Sequence, residues 1–179
     1  MGTMPGQDSP KYLIVMGVAS CGKSTLGALL ARRFGWDFID GDDLHPAANV
    51  AKMRSGAPLN DQDRQPWLEK IAATLEAWRD QNKSGVIACS ALHLDYRNTI
   101  RAGREDVVFA YLRGDQALFA QRIAARQGHF MPPQLLASQF ATLEEPEPSE
   151  RAIILDAALA PETLAGTVAQ AIKQLQAPH

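Results

Sequence analysis

Cysteine is scarce in this chain, with two residues, Cys21 and Cys89, among 179. Their spacing fits neither a disulfide framework nor a zinc site. Free thiols are expected of a reducing compartment. No apolar run approaches the ~20 residues of a membrane-spanning helix. Residues 1–10 are Gly, Pro and polar types without an apolar centre, which argues against a secretory signal and reads as a flexible tail. Basic clusters are missing too: 18 Lys and Arg are scattered among 20 Asp and Glu, for a net charge of −2. That balance argues against a nucleic-acid surface. Repeats, low-complexity tracts and an interdomain linker are also lacking. The expectation is one cytoplasmic domain over residues 11–179, with no nucleic-acid or membrane partner.

The chain is 46% hydrophobic and 21% charged, ordinary for a globular protein. Apolar runs at residues 12–16, 37–40, 86–89, 107–112 and 152–156 read as strands. Helical patterns lie between and after them, at 24–34, 45–55, 66–81, 92–102, a helix capped by Asp115, 135–142 and 161–175. Residues 56–63 read as a loop, and the acidic, Pro-rich stretch 144–150 as exposed. Pro66 is placed in the first turn of its helix, where proline is tolerated. Trp67 and Trp78 share that helix and read as core, as does Cys89. The alternation implies an α/β fold with a parallel, doubly wound sheet of about five strands flanked by helices. Ligands in such folds lie beyond the C-terminal strand ends.

Gly17-Val18-Ala19-Ser20-Cys21-Gly22-Lys23-Ser24 matches G-x-x-x-x-G-K-[ST] between a strand and a helix, with Thr25 following. Successive backbone N–H groups in such a loop form an anion-binding concavity, and the helix N-terminus adds its positive end. Lys23 is placed to reach the β and γ phosphates of ATP, and Ser24 to ligate Mg²⁺. The plainer reading is a Gly-rich turn; the strand–helix context favours a P-loop NTPase fold and phosphoryl transfer. Asp40, Asp42 and Asp43 follow the second strand. Asp40 suits the metal shell with Ser24, and Asp42 suits a general base. An Asp-rich turn with a helix cap would look the same. Arg122 and Arg126 share one helix face and run into Gly128-His129-Phe130 and two prolines, a pattern that suits a small lid over about residues 122–135. Arg64 and Arg97 are weaker candidates.

Several longer segments resemble the gluconate kinase family: Asp40-Gly-Asp-Asp-Leu-His-Pro46, Pro58-Leu-Asn-Asp-Gln-Asp-Arg-Gln-Pro-Trp-Leu68, Cys89-Ser-Ala-Leu, Tyr96-Arg97, Gly128-His-Phe130 and Ser138-Gln-Phe-Ala-Thr-Leu-Glu-Glu-Pro146. The resemblance runs from about Tyr12 to the C-terminus. It implies ATP-dependent phosphorylation of D-gluconate to 6-phospho-D-gluconate with Mg²⁺, a fold like shikimate kinase and the nucleoside monophosphate kinases, and a homodimer. It places Asp40 at the metal, Asp42 and Arg64 at the acceptor, and Arg126 and His129 in the lid, with Arg126 at ATP and His129 at the acceptor. His45 and Arg97 are further acceptor candidates and Arg122 a further ATP candidate, though Arg97 would look the same as a surface arginine. One position departs from the family pattern: His93 stands where lysine is usual, and a neutral imidazole does not replace a permanent ammonium. Kinases of shikimate, of another sugar acid or of a nucleoside monophosphate share the P-loop. A GTP switch is disfavoured, since Asn82-Lys83-Ser84-Gly85 lacks the expected Asp. A non-catalytic ATP sensor is disfavoured by the intact Lys23 and Ser24.

Overall fold

Every residue of β1 (Tyr12–Met16) is buried, as expected of an apolar run covered on both faces. In the computed structural model, which describes residues 11–126 and 132–176, β1 is the centre of a five-stranded sheet. It pairs in parallel with β3 (Gly85–Ala88) on one side and β4 (Val107–Arg113) on the other. β2 (Asp37–Asp40) lies outside β3, and β5 (Ile153–Asp156) outside β4, both parallel. The order β2-β3-β1-β4-β5 puts a switch point between β3 and β1, whose onward connections leave in opposite directions.

Period-two alternation along β1 divides the core. Leu13 and Val15 face α1 (Lys23–Phe34) and α7 (Pro161–Gln176), packing with Leu26, Leu30 and Val168. Tyr12, Ile14 and Met16 face α3 (Asp61–Asp80), which follows α2 (Ala47–Arg54), and α4 (Leu94–Arg101), packing with Trp67, Ile71, Leu75 and Ile100. The connection after β4 carries α5 (Gln116–Ala125) and α6 (Pro133–Thr142). Asp115 caps α5, its side chain accepting from the Leu118 amide at 2.7 Å.

The elements follow the expected order, with three differences. α3 begins at Asp61, before Pro66, because Asn60 and Asp63 form a reciprocal capping box that satisfies the first-turn amides. Residues Gly41–Leu44 form a 3-10 turn ahead of α2. The 144–150 stretch is not wholly exposed: Glu150 is buried at 8% exposure. The expected tail, residues 1–10, and the centre of the expected lid, residues 127–131 with His129, lie outside the described residues. Among the described residues no helix is long and apolar enough to cross a membrane.

Candidate active site

The phosphate loop joins β1 to α1. Gly22 closes it with φ 101° immediately before Lys23, a conformation that L side chains rarely adopt. Val18 and Cys21 are buried and anchor the loop to the core, so Cys21 is a packing residue of the loop. Lys23 Nζ donates to the Val18 carbonyl at 2.9 Å. Two helices brace the loop from its far side. Arg122 of α5 donates to the carbonyls of Cys21 at 3.3 Å and Ala157 at 2.5 Å. Gln139 of α6 accepts from the Ala19 amide at 2.7 Å. Gln139 was not among the expected site residues; its only sequence signal is its place in the 138–146 segment. Arg126, at the end of α5, lines a cleft of about 300 Å³ with Ala19, Ser20, Lys23, Thr25 and both Asp40 and Asp42.

Ser24 and Asp40 meet there. Ser24 Oγ donates to Asp40 Oδ2 at 2.6 Å, while Oδ1 accepts from the Asp42 amide at 3.0 Å and so caps the 3-10 turn. A hydroxyl and a carboxylate are hard oxygen donors. Two of them suit a Mg²⁺ ion that completes its shell with water and substrate phosphate. Gly41 is required by proximity: a Cβ there would lie 2.4 Å from the Ala88 carbonyl of β3. Glycine here lets the turn press against β3. Burial raises the carboxyl pKa of Asp42, repulsion from Asp40 and Asp43 adds to this, and Lys23 partly offsets it.

The same turn continues into a second wall. His45 stacks on Trp67 with ring centres 4.1 Å apart and planes 16° apart. Trp67 is therefore core on one side and a platform on the other, and its Nε1 donates to the Gly41 carbonyl at 2.7 Å. Burial, with the nearby Arg64 charge, lowers the His45 pKa to about 4. Arg64 donates to the Tyr96 hydroxyl at 3.0 Å and lies 5.4 Å from that ring's centre. The Tyr96 hydroxyl in turn donates to Asp61 at 2.5 Å. His93 stands just before α4 at the margin of this wall, 3.3 Å from Glu144 and tilted against Tyr96, while Glu144 accepts from the Leu94 amide at 2.7 Å.

Arg97 does not join the wall. It is 1% exposed, and its guanidinium donates to both oxygens of Glu150 and to the carbonyls of Ala91 and Leu92. With these donors engaged inside the protein, Arg97 is a structural residue and its assignment to the acceptor is corrected. Burial pushes the Glu150 carboxyl up, but the Arg97 hydrogen bond, the Glu147 amide and the charges of Arg97 and Arg101 together outweigh this and leave it below its ordinary range. A larger hollow, about 680 Å³, lies at the other end of the sheet among Lys11, Arg101, Arg104, Asp106 and Ile172, away from the phosphate loop.

A phosphate loop at the switch point of a parallel sheet, a Ser–Asp pair beside it and a raised carboxyl facing the same cleft define a P-loop phosphotransferase. A profile described as shikimate kinase matches residues 19–172. The chain is 45% identical to the thermosensitive gluconokinase of Escherichia coli K12, over 79% of this chain and 75% of that protein. It is 46% identical to the gluconokinase of Gluconobacter oxydans, over 80% and 81%. The crystal structure of a gluconokinase from Sinorhizobium meliloti superposes with a TM-score of 0.86 at 36% identity, over 95% of each chain. The chain belongs to the gluconokinases of the shikimate kinase family.

Proposed function

We infer that this chain catalyses ATP + D-gluconate → ADP + 6-phospho-D-gluconate. The observation that carries the reading is the continuous stretch from Asp40 to His45. One end lies in the phosphate-loop cleft with Lys23, and the other lies against Trp67 and Arg64. A phosphoryl donor and an anionic polyol acceptor can thus meet across Asp42. The acceptor hydroxyl oxygen forms a bond to the γ-phosphorus as the bond from that phosphorus to the β–γ bridging oxygen breaks. Asp42 takes the hydroxyl proton; its raised pKa makes it a better acceptor than an ordinary surface carboxylate. Lys23 follows the phosphate charge through transfer, and Arg126 stabilises it from α5. Arg64 pairs with the gluconate carboxylate, and His45 contacts an acceptor oxygen. Ser24 and Asp40 would hold Mg²⁺, which when bound neutralises phosphate charge.

The protein is read as a cytoplasmic homodimer that uses Mg²⁺–ATP. Sedimentation of the purified chain tests the dimer. A coupled ADP-release assay with ATP and Mg²⁺ against gluconate, shikimate, glucose and AMP tests the activity. Gluconate is expected to give the highest kcat/KM by a wide margin. Preference for shikimate or AMP would overturn the assignment.

A further inference from the structure

Asn49 of α2 is 4% exposed, a polar side chain inside the wall that carries His45. Its amide nitrogen lies 2.7 Å from the Asp63 carbonyl oxygen and 3.2 Å from His45 Nδ1. A backbone carbonyl can only accept, so the group facing it is the Asn49 NH₂. The same NH₂ then donates its other hydrogen to Nδ1. A nitrogen that accepts carries no proton, so the proton of the neutral ring is on Nε2.

We propose that Asn49 is a positioning residue that locks His45 as the Nε2–H tautomer, giving the ring one fixed N–H to offer to an oxygen of the acceptor. The proposal rests on the reading above for the acceptor's location. The lock is built from fixed parts. The Asp63 backbone is held by the capping box with Asn60, and the Asp63 carboxylate is occupied by Lys52 at 2.5 Å. The ring plane is fixed by Trp67, itself tied to Gly41. Charge favours the neutral ring. Arg64 from α3 acts on it as a cation, and among the described residues no carboxylate charge offsets it at the ring. Of the neighbouring charges, Asp63 and Lys52 neutralise one another, and Asp42 and Asp43 belong to the turn on the phosphate side. Protonation would set an Nδ1–H against the Asn49 N–H and break the bond between them. His45 therefore reads an oxygen without adding a second cation, and charge selection is left to Arg64.

The test uses the full chain, ¹⁵N-labelled. Nitrogen-detected NMR of the wild-type ring is expected to show a bare Nδ1 and a protonated Nε2 from about pH 6 to about pH 9. An Nδ1–H tautomer or a fast mixture in the wild type would overturn the lock, and this reading needs no variant. Asn49→Asp replaces the donor by an acceptor. It should raise the ring pKa and leave the proton on Nδ1 once the imidazolium ionises. In that variant gluconate KM should rise about tenfold as pH increases through the new ring pKa, the loss of one hydrogen bond to a charged or polar oxygen. The KM for ATP should stay near wild type, and wild-type gluconate KM should show no such rise. A flat gluconate KM in a variant whose tautomer has visibly changed would overturn the acceptor contact of His45 while leaving the tautomer assignment intact. Failure of the wild type to phosphorylate gluconate would instead strike the proposed function.

Discussion

Asp42 and Arg64 face the acceptor in chemically different ways, and their variants should fail differently. Asp42→Asn keeps shape and removes the base, so kcat should fall by roughly a hundredfold or more with gluconate KM little changed. Arg64→Ala removes a cation. It should raise gluconate KM roughly tenfold to a hundredfold and harm the neutral analogue glucose less. Steady-state kinetics on both substrates checks the contrast; equal damage to glucose and gluconate would remove the carboxylate role of Arg64. His45 offers a measurement without substrate. Its folded pKa is lowered to about 4, whereas the unfolded ring titrates near its ordinary value of 6.5. Between those values the unfolded state binds more protons, so stability rises with pH. The contribution is intact above the unfolded value and is lost as pH falls toward the folded one. Urea midpoints measured from about pH 7 down to about pH 4.5 should therefore fall more steeply in wild type than in His45→Gln.

At the scale of elements, α4 is fastened to the 148–150 turn by the Arg97–Glu150 pair, with Arg101 adding a bond to the Glu150 carbonyl at 3.1 Å. Arg97→Met would leave Glu150 buried without its partner, at a cost of about 3–5 kcal/mol. Chemical denaturation should show that loss while gluconate KM in the folded fraction stays near wild type. A raised KM with unchanged stability would return Arg97 to the acceptor. In sequence the pair was hidden. An arginine beside a family segment resembles a ligand, and its partner is 53 residues away in a stretch whose prolines and carboxylates read as surface. The strands were legible because four of the five are runs of mostly apolar residues. β2 was legible from Phe38 and Ile39 and from the acids that end it. The first turn of α3 was not, because Pro66 is a familiar start signal and masked the quieter Asn60–Asp63 box. The phosphate loop was readable from its spacing together with the strand before it and the helix after it, and Asp40 from its place at the end of β2 and from the family segment it opens. Asn49 and Gln139 were not, since an amide inside a helix carries no local mark and acquires meaning only from what the fold sets opposite it.

For the molecule as a whole, the chemistry gathers at the switch point between β3 and β1, and distant segments converge there. The Ala19–Gln139 bond spans 120 positions, so it closes a ring that contains β2, β3, β4 and helices α1 to α5. The ring is shut by one side-chain oxygen on one backbone amide, at the loop that must receive phosphate. Any excursion that parts α6 from the loop has to open this link. The deuterium-exchange rate of the Ala19 amide therefore becomes a gauge of how often the ring opens. That amide should exchange slowly in wild type and markedly faster in Gln139→Ala, with the β1 amides unchanged. Equal rates in the two proteins would mean that the loop holds its shape without the clasp.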